Sequence, residues 1–147
     1  MAGDAFSIKF DSSGLDAGLA QLQTEAESVR PAAQAGAQIL YNEVLLRVPV
    51  GKRARKTKSG REILPGALKA SIYQVFSADN SPKGTATYHV SWNARKAPHG
   101  HLVEFGTSRA PAHPFIRPAY DAKVVQALQA VEARWSEDVR KAITRLT

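Results

Sequence analysis

Three prolines, Pro111, Pro114 and Pro118, fall just ahead of a long and regular apolar pattern. Each fixes its own φ and drives the residue before it toward extended geometry, so helix is not expected before the last of them. Beyond them Tyr120, Val124, Leu128, Val131, Trp135, Val139, Ala142 and Leu146 recur at steps of three and four. That spacing is one stripe of an amphipathic helix of roughly 28 residues, with Pro118 suited to its first position. Ahead of the prolines, Leu102-Val103-Glu104-Phe105 reads as a short helix that Gly106 stops in the left-handed region. Phe105, Phe115 and Ile116 each call for a surface to bury against. Residues 101–119, HLVEFGTSRAPAHPFIRPA, are therefore too stiff and too apolar for a plain linker. They read as a shaped, ordered loop of the kind that carries function.

The rest of the chain supplies partners for that helix. Phe6 to Phe10 alternates as a short strand, and Asp11, Ser12 and Ser13 offer a helix cap. Leu15, Leu19, Leu22, Ala26, Val29, Ala33, Ala37, Leu40 and Val44 then form one stripe. It stays in phase across Pro31, which predicts a kinked helix or two nearly coaxial ones ending near Val48-Pro49. Residues 64–70 suit a helical turn leading into a strand at Ser71–Ser77. A turn at Asp79–Gly84 follows, and then the clean alternation of Thr85–Trp92. Ala86, Tyr88, Val90 and Trp92 share one face of that strand, which should pair antiparallel with the one before it. The sum is a single α+β domain over residues 1–147: two long amphipathic helices packed on a small, mostly antiparallel sheet. A chain of 147 residues can bury a core of its own without staples. Trp92 and Trp135 belong to that core.

Charge is lopsided. The net charge of +7 comes from 20 Lys and Arg against 13 Asp and Glu. Lys52, Arg53, Arg55, Lys56, Lys58 and Arg61 lie in GKRARKTKSGR, which holds no acid. Taking these six from the 20 leaves 14 positive against 13 negative, so the chain is a near-neutral body with one basic loop. The loop, residues 49–64, has no apolar face and is expected to be mobile until a partner orders it. Its cations suit phosphates in a salt-dependent, sequence-independent contact, or else an acidic protein. It has no aromatic residue for base stacking. Arg109 and Arg117 would extend such a surface or pair with Glu104 or Asp121.

Catalytic chemistry has little to stand on. There is no cysteine, so disulfides and thiolate metal sites are excluded. His99, His101, Glu104 and His113 are of types that bind zinc, but their spacing matches no recognised metal motif. No Ser/His/Asp grouping and no glycine-rich phosphate loop is present, and Glu62, Asp79, Glu104 and Asp121 stand far apart for a magnesium site. The expectation is a protein that is not an enzyme and carries no cofactor or metal. The first residues lack a secretory pattern, and no apolar run is long enough for a membrane span. A soluble protein made in the cytoplasm is expected.

Val103-Glu104-Phe105-Gly106-Thr107-Ser108, then Pro111, then Pro114-Phe115-Ile116-Arg117-Pro118-Ala119, resembles the signature of the head–tail joining, or neck (tail-completion), family of tailed bacteriophages. Members carry a similar stretch before a C-terminal helix. The long N-terminal helix, the basic segment ahead of Ala67–Ile72 and the strand ending in Trp92 are also alike. Members often have Tyr-Ala where this chain has His99-Gly100, a departure that leaves the resemblance intact. The resemblance implies a structural virion protein that forms a homo-oligomeric, six-fold ring through which double-stranded DNA passes. Its implied partners are head-completion or connector proteins on one side and tail terminator or tail-tube proteins on the other. Glu104, Phe105, Gly106, Thr107, Pro114, Phe115 and Pro118 are then the signature positions, expected to pack the last helix and touch a neighbouring subunit. The implied location is the neck of the virion, and the host cytoplasm during assembly. A small nucleic-acid-binding module using the basic loop is the alternative. A metal-dependent hydrolase centred on His99, His101, Glu104 and His113 ranks third.

Overall fold

A computed structural model describes residues 6–11, 29–82 and 84–146 of the chain. Strand β1 (Phe6–Asp11) is followed by helix α1 (Val29–Arg47) and the two short strands β2 (Arg55–Lys56) and β3 (Glu62–Ile63). Then come α2 (Ala67–Ser71), β4 (Ile72–Phe76), β5 (Thr85–Trp92), α3 (Gly100–Phe105) and α4 (Ile116–Leu146). The fold class is α+β, with both long helices on one small antiparallel sheet. β5 is its centre: β1 pairs on one side with Phe6 opposite Val90, and β4 on the other with Ile72 opposite Trp92. The strand with the cleanest alternation takes the middle because both of its edges can be covered. Ala86, Tyr88, Val90 and Trp92 are all buried as their alternation predicts, and Thr87 and Ser91 on the other face are buried too. Thr87 is satisfied there, its hydroxyl donating to the Asn80 carbonyl at 2.6 Å.

Along α1, Val29, Ala33, Ala37, Leu40 and Val44 are buried, as the stripe requires. Its earlier members, Leu15 to Ala26, and the proposed cap at residues 12–13 lie outside the described residues. Pro31 is the third residue of α1 as described, so the question of a kink at Pro31 falls on the same boundary. Ala32 and Gly36 add a second buried line that the large apolar residues had not revealed. Gly36 lies against Ala127 and Val131, which places this small-residue line at the crossing with α4.

The stripe on α4 departs from the pattern in its first half. Tyr120 is 38% exposed and Leu128 59%, whereas Ala119 and Ala127 are buried. Alanines weigh little in a hydrophobic pattern, yet a close helix–helix crossing admits them and turns the bulkier neighbours outward. Val131 and Ala142 are buried as expected, and Trp135 packs at the edge of the cluster of Val29, Ala33, Ala37, Ala86 and Tyr88. A second cluster holds Val44, Leu68, Val90, Trp92, Phe115 and Ile116, so the start of α4 is anchored directly on the sheet. None of the described helices is long and apolar enough to cross a membrane.

Candidate functional site

The proline-rich segment closes on itself through one carboxylate. Glu104, on the last turn of α3, is 6% exposed. Its Oε2 accepts the backbone N–H groups of Phe115 at 2.8 Å and Ile116 at 3.1 Å, and its Oε1 accepts that of Arg117 at 3.2 Å. The first turn of any helix leaves four N–H groups without an intrahelical partner. In α4 these belong to residues 115–118. Three of them go to Glu104, and the fourth position is Pro118, which has no N–H to satisfy. A negative charge at that end also complements the helix dipole. The helix thus starts at Ile116, two residues ahead of the expected first position, and Pro118 stands third. The proline fails to delay the helix because its missing donor falls inside the turn that needs none.

The other signature positions have equally local tasks. Gly106 ends α3 with φ 76° and ψ −176°. Its φ is positive as expected, but its ψ is extended rather than left-handed helical, a region open almost only to glycine. A Cβ there would lie 2.7 Å from the Ala112 nitrogen. The Thr107 hydroxyl accepts the N–H groups of Arg109 and Ala110, holding a tight turn that the Thr107–Ala110 backbone bridge closes. The His113 N–H returns to the Val103 carbonyl at 2.8 Å. The loop is ordered by its own hydrogen bonds, as its stiffness implied. Phe115 is fully buried and meets Trp92 edge-on, with ring centroids 6.0 Å apart. Gly100 lies so close to Trp92 that a Cβ would overlap the indole ring.

Phe105 goes the other way. It was expected to need burial, and it is 75% exposed. It precedes Gly106 on the turn of α3 facing away from Glu104; once Glu104 is turned inward to cap α4, its chain neighbour points outward. Pro114 is exposed as well.

The basic segment is more structured than its composition suggested. Arg55 pairs with Ile63 and Lys56 with Glu62 in a small hairpin. The Thr57 N–H donates to the Arg61 carbonyl at 2.8 Å, and the Arg61 N–H donates back to the Thr57 hydroxyl at 3.0 Å. Thr57 and Gly60 at the two ends of the TKSG turn are the signals that could have found it. The six cations are all exposed. One of them, Arg61, is committed to the fold: its Nη1 donates to the Arg95 carbonyl at 2.8 Å and its Nη2 to the Lys96 carbonyl at 3.3 Å. Arg95 and Lys96 belong to the loop that follows β5. The Asn93 side chain shapes that loop by accepting both of their N–H groups. Behind it, burial and then the charge of Arg55 hold the His99 imidazole below its ordinary pKa.

The four residues of the metal reading are not brought together. Glu104 is spent on backbone donors, His101 and His113 are exposed, and His99 is half-buried beside Arg55. Among the described residues no group of three or more His, Asp or Glu side chains could hold a metal ion. Glu104 also serves backbone N–H groups rather than the Arg109 or Arg117 guanidinium. An open polar cavity of about 540 Å³ lies on the sheet, lined by Ser7, Lys9, Asn80, Pro82, Thr87 and His89, and takes nothing from either segment. Set beside known proteins, the chain matches no family model, no curated protein and no solved structure.

Proposed function

We propose that this protein is a non-enzymatic structural subunit of a tailed-phage neck, a homo-oligomer whose ring joins or completes the head–tail interface and lets DNA through. The reading starts from the resemblance of residues 103–119 to the neck family. One observation carries it further: the motif locks its backbone through buried Glu104 while leaving Phe105 outside on a rigid turn. A side chain of that size held in water on a stiff support suits a contact with another protein surface. Leu102, also on α3, is 44% exposed, and on α4 Val125 and Leu128 are exposed, so more apolar surface stands open for subunit packing. In the ring, Phe105 packs between neighbouring subunits, and six copies of the basic hairpin present their charge to DNA or to an adjoining neck protein.

Light scattering and negative-stain imaging of the purified chain test this. The expected result is a closed ring of fixed copy number, with Phe105→Ser shifting the protein toward monomer while its melting temperature stays within a degree or two. A wild-type protein that remains monomeric at high micromolar concentration overturns the ring. The second reading, a small nucleic-acid-binding module, draws on the exposed cationic hairpin. A strict monomer with salt-dependent DNA binding would select it.

A further inference from the structure

Arg61 joins two loops that are far apart in sequence. Its guanidinium fork donates to the carbonyls of Arg95 and Lys96, and the side chains of both those residues are exposed beside the hairpin. Carbonyl acceptors hold the fork in place without neutralising it, so Arg61 keeps its positive charge. The charge of Arg55 also reaches His99, at the far end of the same loop, and helps hold its imidazole below the ordinary pKa. Eight cations and one acid, Glu62, make up this composite surface. Removing them from the 20 and 13 of the whole chain leaves 12 of each sign. The net charge of the protein is therefore matched by these two loops, which Arg61 joins.

The chemistry of that face selects among anionic partners. Lys, Arg, Gly, Ser and Thr predominate in it beside the one acid, and no residue of 51–63 or 93–97 is aromatic. Protein–protein interface cores are enriched in aromatic residues and depleted of lysine, whereas interfaces with nucleic acid are strongly positive and contact phosphates through Lys, Arg, Ser and Thr. Single strands are held by stacking on aromatic rings, which this face lacks. We infer that the hairpin and the 93–97 turn, clasped by Arg61, form a single surface for the phosphate backbone of duplex DNA, with Arg95 and Lys96 as members of it. The inference rests on the neck reading for the DNA it would meet in the virion, but binding itself does not require a ring.

Fluorescence anisotropy of the full chain with a random-sequence DNA duplex, measured from about 50 to 200 mM salt, tests it. Log affinity should fall linearly with log salt, and each lost phosphate contact should lower the slope by about one. Arg95→Gln with Lys96→Gln should therefore lower it by about two, even though neither residue lies in the basic hairpin. Arg61→Lys keeps the charge and loses the fork. It should weaken binding, and in that background the loss from the Arg95/Lys96 pair should shrink, a coupling that additive surface charges would not show. An unchanged slope in the Arg95/Lys96 variant, or strict additivity with Arg61→Lys, overturns the composite surface. So does poly-glutamate binding more tightly than the duplex, which assigns the face to an acidic protein. Light scattering on the same samples separates the two proposals: a ring that ignores DNA breaks this one alone, and a DNA-binding monomer breaks only the ring.

Discussion

The Glu104 clasp and the basic hairpin are both short polar structures that hold a loop, and they do so in opposite ways. The clasp places one buried carboxylate on three backbone donors, so its charge is consumed by the fold. The hairpin places one guanidinium on two backbone acceptors at the surface, so its charge remains available. Burial decides the difference. A buried donor left without its partner costs about 1–3 kcal/mol, while an exposed one turns to water. Polar residues in the first region are therefore read as architecture, and in the second as surface for a partner.

The largest test of that contrast is Glu104→Ala. It strands up to three N–H groups at the buried start of α4, and an expected loss of roughly 3 kcal/mol or more follows from two or three unsatisfied donors. Glu104→Gln keeps one acceptor and should fall between, at about 1–2 kcal/mol. Urea denaturation measures both, and an E104A variant as stable as the parent would place the clasp on the same footing as the hairpin. Next is Gly100→Ala, whose methyl group overlaps the Trp92 indole. Overpacking of this kind costs about 1–3 kcal/mol, visible as a lower melting temperature and altered tryptophan fluorescence.

The smallest effect lies where the hairpin touches the body. His99 is held below its ordinary pKa of 6.5, first by burial and then by Arg55. The unfolded imidazole takes up its proton as pH falls through about 6.5, while the folded one resists until lower pH, so stability drops over that window on acidification. His99→Gln should flatten this part of the pH–stability curve. Arg55→Gln should leave the fold intact and raise the His99 pKa, read by NMR titration of the imidazole. A His99 pKa unmoved by R55Q would detach Arg55 from the loop that holds His99.

Much of the fold was legible because periodicity reports burial. The sheet strands and the larger apolar residues of α1 that face the core follow from alternation or three- and four-residue steps, and the short helix follows from the apolar run that Gly106 stops. The α4 stripe was read less well, since Ala119 and Ala127 at the α1 crossing carry almost no hydrophobic signal while Tyr120 and Leu128 carry a strong one. The same limit hid the fate of Phe105, whose type argues for burial and whose neighbour Glu104 argues for exposure. For the basic segment, composition announced its charge but not the hairpin, because a two-residue ladder is too short to show a period.

By itself, then, the sequence determined the α+β class, the stiffness of residues 101–119 and the location of six clustered cations. Those depend on backbone restriction, periodicity and charge, all of which are local. Only the tertiary structure decided that Glu104 caps a helix beginning twelve residues later at Ile116, that Phe105 faces solvent, and that Arg61 brings Arg95 and Lys96 to the hairpin. Each of those turns on which donors meet which acceptors once the chain has packed, and no spacing along the sequence encodes that meeting.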